Sequence, residues 1–345
     1  MSSENKSSYQ LWFVALGIAL LLAILLNISS GSVAIPFGAT LKALFGGELE
    51  TQSWTYIVLD YRLPKAITAI LVGGGLAVSG LLMQTLFRNP LAGPFVLGIS
   101  SGASLGAALL LMGGSLVSGL FMFDLVNDAS LAIASSMGSF FVLAIVMVVA
   151  HRVRDTMALL IIGLMFGSIT AAIVSVLSYF SNAEQLQRFI FWSYGSVGSL
   201  SWSQVLLLSG IVVVGLVISV LSLKSLNSFL LGENYAKSLG IGLQKSRFII
   251  IIATGLLAGS ITAFAGPIAF VGLAVPHLTR QLFKTMDHRI LVPAVFQYGA
   301  ILMLLCDTID QLPNSPNVLP INAITSIIGA PVVIWLLVRK RKMIF

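Results

Sequence analysis

Long apolar stretches alternate with short polar ones along this chain. An apolar run of about 20 residues is long enough to cross a bilayer as a helix. The pattern predicts such spans at 10–29, 65–87, 95–113, 130–150, 157–180, 203–223, 246–264, 267–283, 290–309 and 321–338. Gly266, Pro267, Pro313, Pro316 and Pro320 punctuate the divisions around 263–269 and 309–322. The expected fold class is an all-α polytopic membrane protein of about ten transmembrane helices, with residues 1–345 forming a single transmembrane domain. The apolar stretch that follows MSSENKSSYQ is read as an uncleaved first span.

One segment breaks the rhythm. KSLNSFLLGENYAKSLGIGLQKSR at 224–247 carries Lys224, Glu233, Lys237, Lys245 and Arg247 and is too charged to span. Its Leu230, Leu231, Ala236, Leu239 and Ile241 still recur at helix-like spacing. The prediction is a short amphipathic helical element on one membrane face, placed where a partner could push on the protein.

Composition agrees with the span pattern. Charged residues make up 9% of the chain, against about 25% in a soluble domain. The net charge of +7 raises the possibility of nucleic-acid binding, but the charges are distributed as a topology signal. With both termini in the cytoplasm, all of the 19 basic residues except Lys42, Arg62, Lys65 and Arg188 fall inside. The terminal RKRK anchors the last span and can touch anionic lipid. The lone Cys306 says nothing of redox compartment.

Small residues mark where helices approach in lipid. The fifth span carries Gly163, Gly167, Ala171 and Ser175 at four-residue spacing, the third Gly98, Gly102 and Gly106, and the second Gly73, Gly74, Gly75 and Gly80. These are packing faces or walls of a path. LAVSG with AGPFVLG at 76–98 echoes LAGS with AGPIAFVG at 257–272, on spans of opposite direction, which suggests an inverted repeat.

Catalytic constellations are missing from the sequence. It contains no HExxH motif, no His/Cys cluster and no GxxxxGK[ST] loop, and no cofactor or metal is expected. His151, His277 and His288 all fall near the predicted cytoplasmic face. The spans are nearly free of charge, and Asp307, near the outer end of span nine, is the only fair candidate for an ion-coupled site. A transporter without an ion or nucleotide site must take energy from elsewhere, and 224–247 is the natural point of entry.

RLPKAITAILVGGGLAVSGLLMQTLFRNPLAGPFVLGISSGASLGA at 62–107 resembles the permeases of ABC importers for iron-siderophores, haem and cobalamin. FWSYGSVGSLSW at 191–202, LGENYAKSLGIGL at 231–243, GPIAFVGLAVPHLTRQLFKTMDHRILVPA at 266–294 and ITSIIGAPVVIWLL at 324–337 are similar to further signatures of that family. The resemblance implies ten helices per subunit, a dimer of permease subunits (here a homodimer), two cytoplasmic ATPase subunits and an extracytoplasmic substrate-binding protein. It implies a location in the inner (plasma) membrane and a cytoplasmic coupling element at 226–243, with Leu231, Gly232, Glu233, Ala236, Leu239 and Gly240 at its centre. It also implies that Arg62 and Lys65 pair with carboxylates of the binding protein. Where many relatives place an arginine after the aspartate of span nine, this chain reads TIDQLPNSPNVLPINA, so a third basic contact is not expected. Spans five and ten would line the central path, with a gate around Asp155, Thr156 and Met157 and with Gly163, Gly167 and Ala171 on its wall. The expected cargo is a ferric siderophore, with haem or cobalamin as the alternative. An ion-driven secondary transporter is a less favoured reading.

Overall fold

The computed structural model describes residues 3–47, 49, 51–113, 127–153, 156–311 and 318–338. Among them the regular elements are all helical. In chain order they are α1 (Ser3–Ser29), α2 (Phe37–Leu44), α3 (Gln52–Tyr56), a π-helical turn (Ile57–Arg62) and α4 (Leu63–Leu86). A 3-10 turn (Pro94–Leu97) leads into α5 (Ile99–Met112), followed by α6 (Asp128–Arg152), α7 (Thr156–Phe180), α8 (Ala183–Ser193) and α9 (Trp202–Leu221). Next come α10 (Leu223–Leu230), α11 (Glu233–Ser238) and α12 (Leu243–Thr254). A second π-helical turn (Gly255–Gly259) joins α12 to α13 (Ser260–Ala265), before α14 (Val271–Phe283), α15 (His288–Asp310) and α16 (Ile321–Val338).

Among the described residues, seven helical stretches are long and apolar enough to cross a membrane, and Ile99–Met112 and Ile321–Trp335 are shorter apolar helices. The eighth predicted span, 267–283, is helical only from Val271. Its 13 residues reach about 20 Å at 1.5 Å per residue, short of the hydrocarbon thickness of about 30 Å. The local sequence explains the late start. Pro267 disfavours helix in the residue before it, and Phe270 sits at a φ of 66°, outside the helical region. Both short helices, α5 and α14, follow an Ala-Gly-Pro segment, and the one before α5 packs against the first turn of α14. A Cβ on Gly272 would fall 2.9 Å from Pro94 Cδ.

The core is built around α4. Its Leu76, Leu81, Leu82 and Met83 are fully buried, and its glycines bring neighbouring backbones into contact. A Cβ on Gly73 would fall 2.2 Å from the Gly299 carbonyl oxygen of α15. One on Gly80 would fall 1.6 Å from that of Gly272 on α14. Lipid tails are as apolar as Leu, so such close packing replaces hydrophobic burial as the force between helices. The stripe on α5 works in the same way, with Gly102 and Gly106 against Gly138 and Ala134 of α6. Gly80→Val is therefore expected to cost about 3 kcal/mol or more, because the obstacle is backbone and no rotamer change relieves it. The check is a drop in yield and in thermal midpoint in detergent, with Gly17→Val, which has open space around its Cα, as the neutral control.

Candidate functional site

The charged interruption folds as two short helices that leave the end of α9 and return to α12. Gly232 (φ 99°) and Gly240 (φ 76°) bracket α11. Both angles are ones a side chain resists, so the two glycines allow the chain to turn sharply before and after a six-residue helix. Ala236 is fully buried against the body of the subunit. Glu233, partly exposed, forms an ion pair with Arg247 of α12. Ser225 and Ser246 Oγ atoms lie 3.0 Å apart, a second tie to α12.

The opposite side of the element is apolar and exposed. Leu231, Tyr235 and Leu239 are 62%, 52% and 50% exposed. Leu231 closes α10, and Tyr235 and Leu239 lie four residues apart along α11 and its C-cap. Leu231 and Leu239 were expected here and Tyr235 was not. Of the other expected residues, Gly232 and Gly240 shape the turns, and Glu233 and Ala236 fasten the element to its own chain.

The two expected docking residues have partners within the chain. Arg62 is buried. Its Nη1 donates to the carbonyls of Ile28 and Ser29 at 3.0 Å each, and its Nη2 to that of Val33 at 2.5 Å. The planar guanidinium thereby satisfies carbonyls at the end of α1 that have no helical partner. Lys65 Nζ lies 3.0 Å from Asp307 Oδ1. Asp307 is fully buried, and its Oδ2 accepts from Asn27 at 2.8 Å and from Gln311 at 2.9 Å. The candidate carboxylate for ion coupling is thus already neutralised by Lys65.

The expected path residues divide. Asp155 lies outside the described residues. Thr156 begins α7, and Met157 is 56% exposed. Gly163 packs under the 3-10 turn, where a Cβ would fall 2.2 Å from the Val96 carbonyl oxygen, and Gly167 faces Ser101. These two glycines make a packing contact. Ala171 lies on the exposed side of α7, together with Ile161, Met165, Ile169 and Val176.

Comparison with known proteins agrees with this architecture. The chain is 37% identical over 333 residues to the vitamin B12 import system permease protein BtuC of Salmonella typhi, covering 96% of each chain. It is 34% identical over 328 residues to the hemin transport system permease protein HmuU of Yersinia pestis, covering 95% of this chain and 96% of that one. A solved structure described as an inward-facing conformation of a metal-chelate type ABC transporter superposes with a TM-score of 0.82 at 29% identity, covering 96% of this chain and 99% of that one. The FecCD transport family matches residues 19–339. The chain therefore belongs to the FecCD transport family, as a multi-pass membrane permease of the ABC importer class.

Proposed function

We propose that this permease carries an organic metal chelate across the inner membrane. A ferric siderophore is the first reading, and haem or cobalamin is the alternative that the two named relatives favour. It works as a homodimer on two separate cytoplasmic ATPase subunits and receives cargo from an extracytoplasmic binding protein. Both termini lie in the cytoplasm, the orientation that leaves only Lys42, Arg62, Lys65 and Arg188 outside.

The exposed stripe of Leu231, Tyr235 and Leu239 carries this reading. An apolar stripe on a short helix, offered from a polar connection between spans, is the form that seats in a groove on a partner. The inward ties of Glu233 and Ala236 make the element a rigid handle. Closure of the ATPase pair on ATP moves that handle, and the spans rearrange to switch access. The exposed face of α7, with Met157 and Ala171, borders the path. Docking of the binding protein at Arg62 and Lys65 requires those side chains to exchange their present partners.

Cargo is settled by uptake into vesicles that hold the chain with its ATPase and binding protein. The expected result is ATP-dependent accumulation of a ferric siderophore, suppressed by excess unlabelled siderophore and unaffected by hemin or cyanocobalamin. Accumulation of hemin or cobalamin in its place moves the assignment to the alternative. Accumulation of none of the three removes the metal-chelate reading.

A further inference from the structure

The coupling element has a second attachment, partly buried and independent of its ties to α12. Asn227 of α10 reaches the start of α15. Its Nδ2 donates to Asp287 Oδ1 at 2.7 Å, and its Oδ1 accepts from the His288 backbone N–H at 2.9 Å. Those two contacts fix which way the amide points. His288 Nδ1 lies 2.7 Å from the same Oδ1, so Nδ1 must carry a proton and donate. On the far side of the ring, Nε2 lies 2.8 Å from Thr85 Oγ1, near the end of α4. In the neutral imidazole Nε2 is then an acceptor, and Thr85 must donate to it.

Thr85 also lies within reach of another acceptor. Its Oγ1 is 2.9 Å from the Leu81 carbonyl oxygen, one turn back in the same helix. A hydroxyl has one proton, so it serves either His288 or Leu81 at a given moment. The two ends of the bridge therefore differ. On the coupling side, His288 and Asp287 are held by three hydrogen bonds to Asn227. On the α4 side there is one bond, and Thr85 has a replacement for it. His288 and Thr85 are both fully buried, where an unmet polar group is costly. The replacement acceptor lets the hydroxyl remain satisfied when the ring moves away.

Building on the coupling role proposed above, we infer that His288 is the positioning residue through which movement of the coupling element reaches the centre of the subunit. The imidazole travels with α10 and the start of α15, and its bond to Thr85 of α4 is made and broken in each cycle. The receiving helices suit the role. The stretch that ends in α4, Gln52–Leu86, is the most buried of the candidate spans among the described residues, and α15 lies against α4 backbone to backbone at Gly73 and Gly299.

The test measures cargo transported per ATP hydrolysed by the full complex in proteoliposomes. Thr85→Val keeps the side-chain shape and removes only the hydroxyl, and Thr85→Ser restores it. In Thr85→Val, ATPase association and basal hydrolysis are expected to stay near wild type, while cargo per ATP falls about tenfold. Thr85→Ser is expected to recover the ratio, and His288→Phe to match Thr85→Val. An unchanged ratio in Thr85→Val overturns the inference, even if His288→Phe fails to accumulate. A wild-type chain that neither retains an ATPase nor imports with ATP would instead overturn the coupling role on which the inference rests.

Discussion

Leu231→Glu combined with Leu239→Glu is expected to strip the ATPase from the membrane complex and abolish ATP-driven uptake, with the amount of folded permease unchanged. Both side chains are at least half exposed in the subunit, so a carboxylate at either position remains hydrated and the fold is spared. In a partner groove the same carboxylates lose their water with nothing to pair with, at a cost that exceeds any rim contact. Interface anchors cost about 2 kcal/mol or more each when lost. Two together weaken association about a thousandfold. Co-purification of the ATPase with tagged permease reads this directly. Lys237→Ala, an exposed charge on the same helix, is expected to change association little. Retention of the ATPase by the double variant would place the coupling contact elsewhere. Changes at Ala236 are less informative, because its side chain packs into its own subunit.

The second large effect concerns the Lys65–Asp307 ion pair. Lys65→Met leaves Asp307 fully buried without its cation and is expected to cost about 3–5 kcal/mol of stability. The lower end of that range is favoured, since Asn27 and Gln311 still donate to Oδ2. Adding Asp307→Asn to Lys65→Met removes the stranded charge and keeps an acceptor for Asn27, so most of the loss returns. Thermal unfolding in detergent across these variants gives the comparison. A cost below about 1 kcal/mol for Lys65→Met would mean that the pair behaves like a solvated surface bridge.

Much of this architecture is legible in the sequence because lipid imposes a simple rule. Runs such as Trp202–Leu221 and Met157–Phe180 must close their own backbone hydrogen bonds, so hydropathy finds them. The 224–247 segment shows itself by breaking that rule at Glu233, Lys237 and Arg247. Its facing was harder to read. Spacing alone grouped Ala236 with Leu231 and Leu239, but the chain turns at Gly232 between α10 and α11, so the register does not carry across, and on α11 Ala236 is buried while Tyr235 is exposed.

Long-range pairing was not legible. Arg62 reads as a rim cation until the carbonyls of Ile28, Ser29 and Val33, about thirty residues back in the chain, are seen to surround it. Lys65 and Asp307 lie far apart in sequence, and no periodicity joins them. The late start of α14 within the predicted span 267–283 was also missed, since Phe270 at positive φ has no sequence signature. Helix α8 could have been found. Asn182 and Gln185 form a reciprocal capping box at its start, a three-residue signal that the apolar runs on either side obscured.

The central claim is that energy enters this permease from ATP through the 231–239 stripe. Uptake by proteoliposomes holding the permease, its ATPase pair and its binding protein tests it most directly, with and without an ionophore that collapses ion gradients. Uptake is predicted to survive the ionophore and to stop when ATP is replaced by a non-hydrolysable analogue. Uptake that continues without ATP hydrolysis and collapses with the gradient would contradict the account and return Asp307 to the centre of the mechanism.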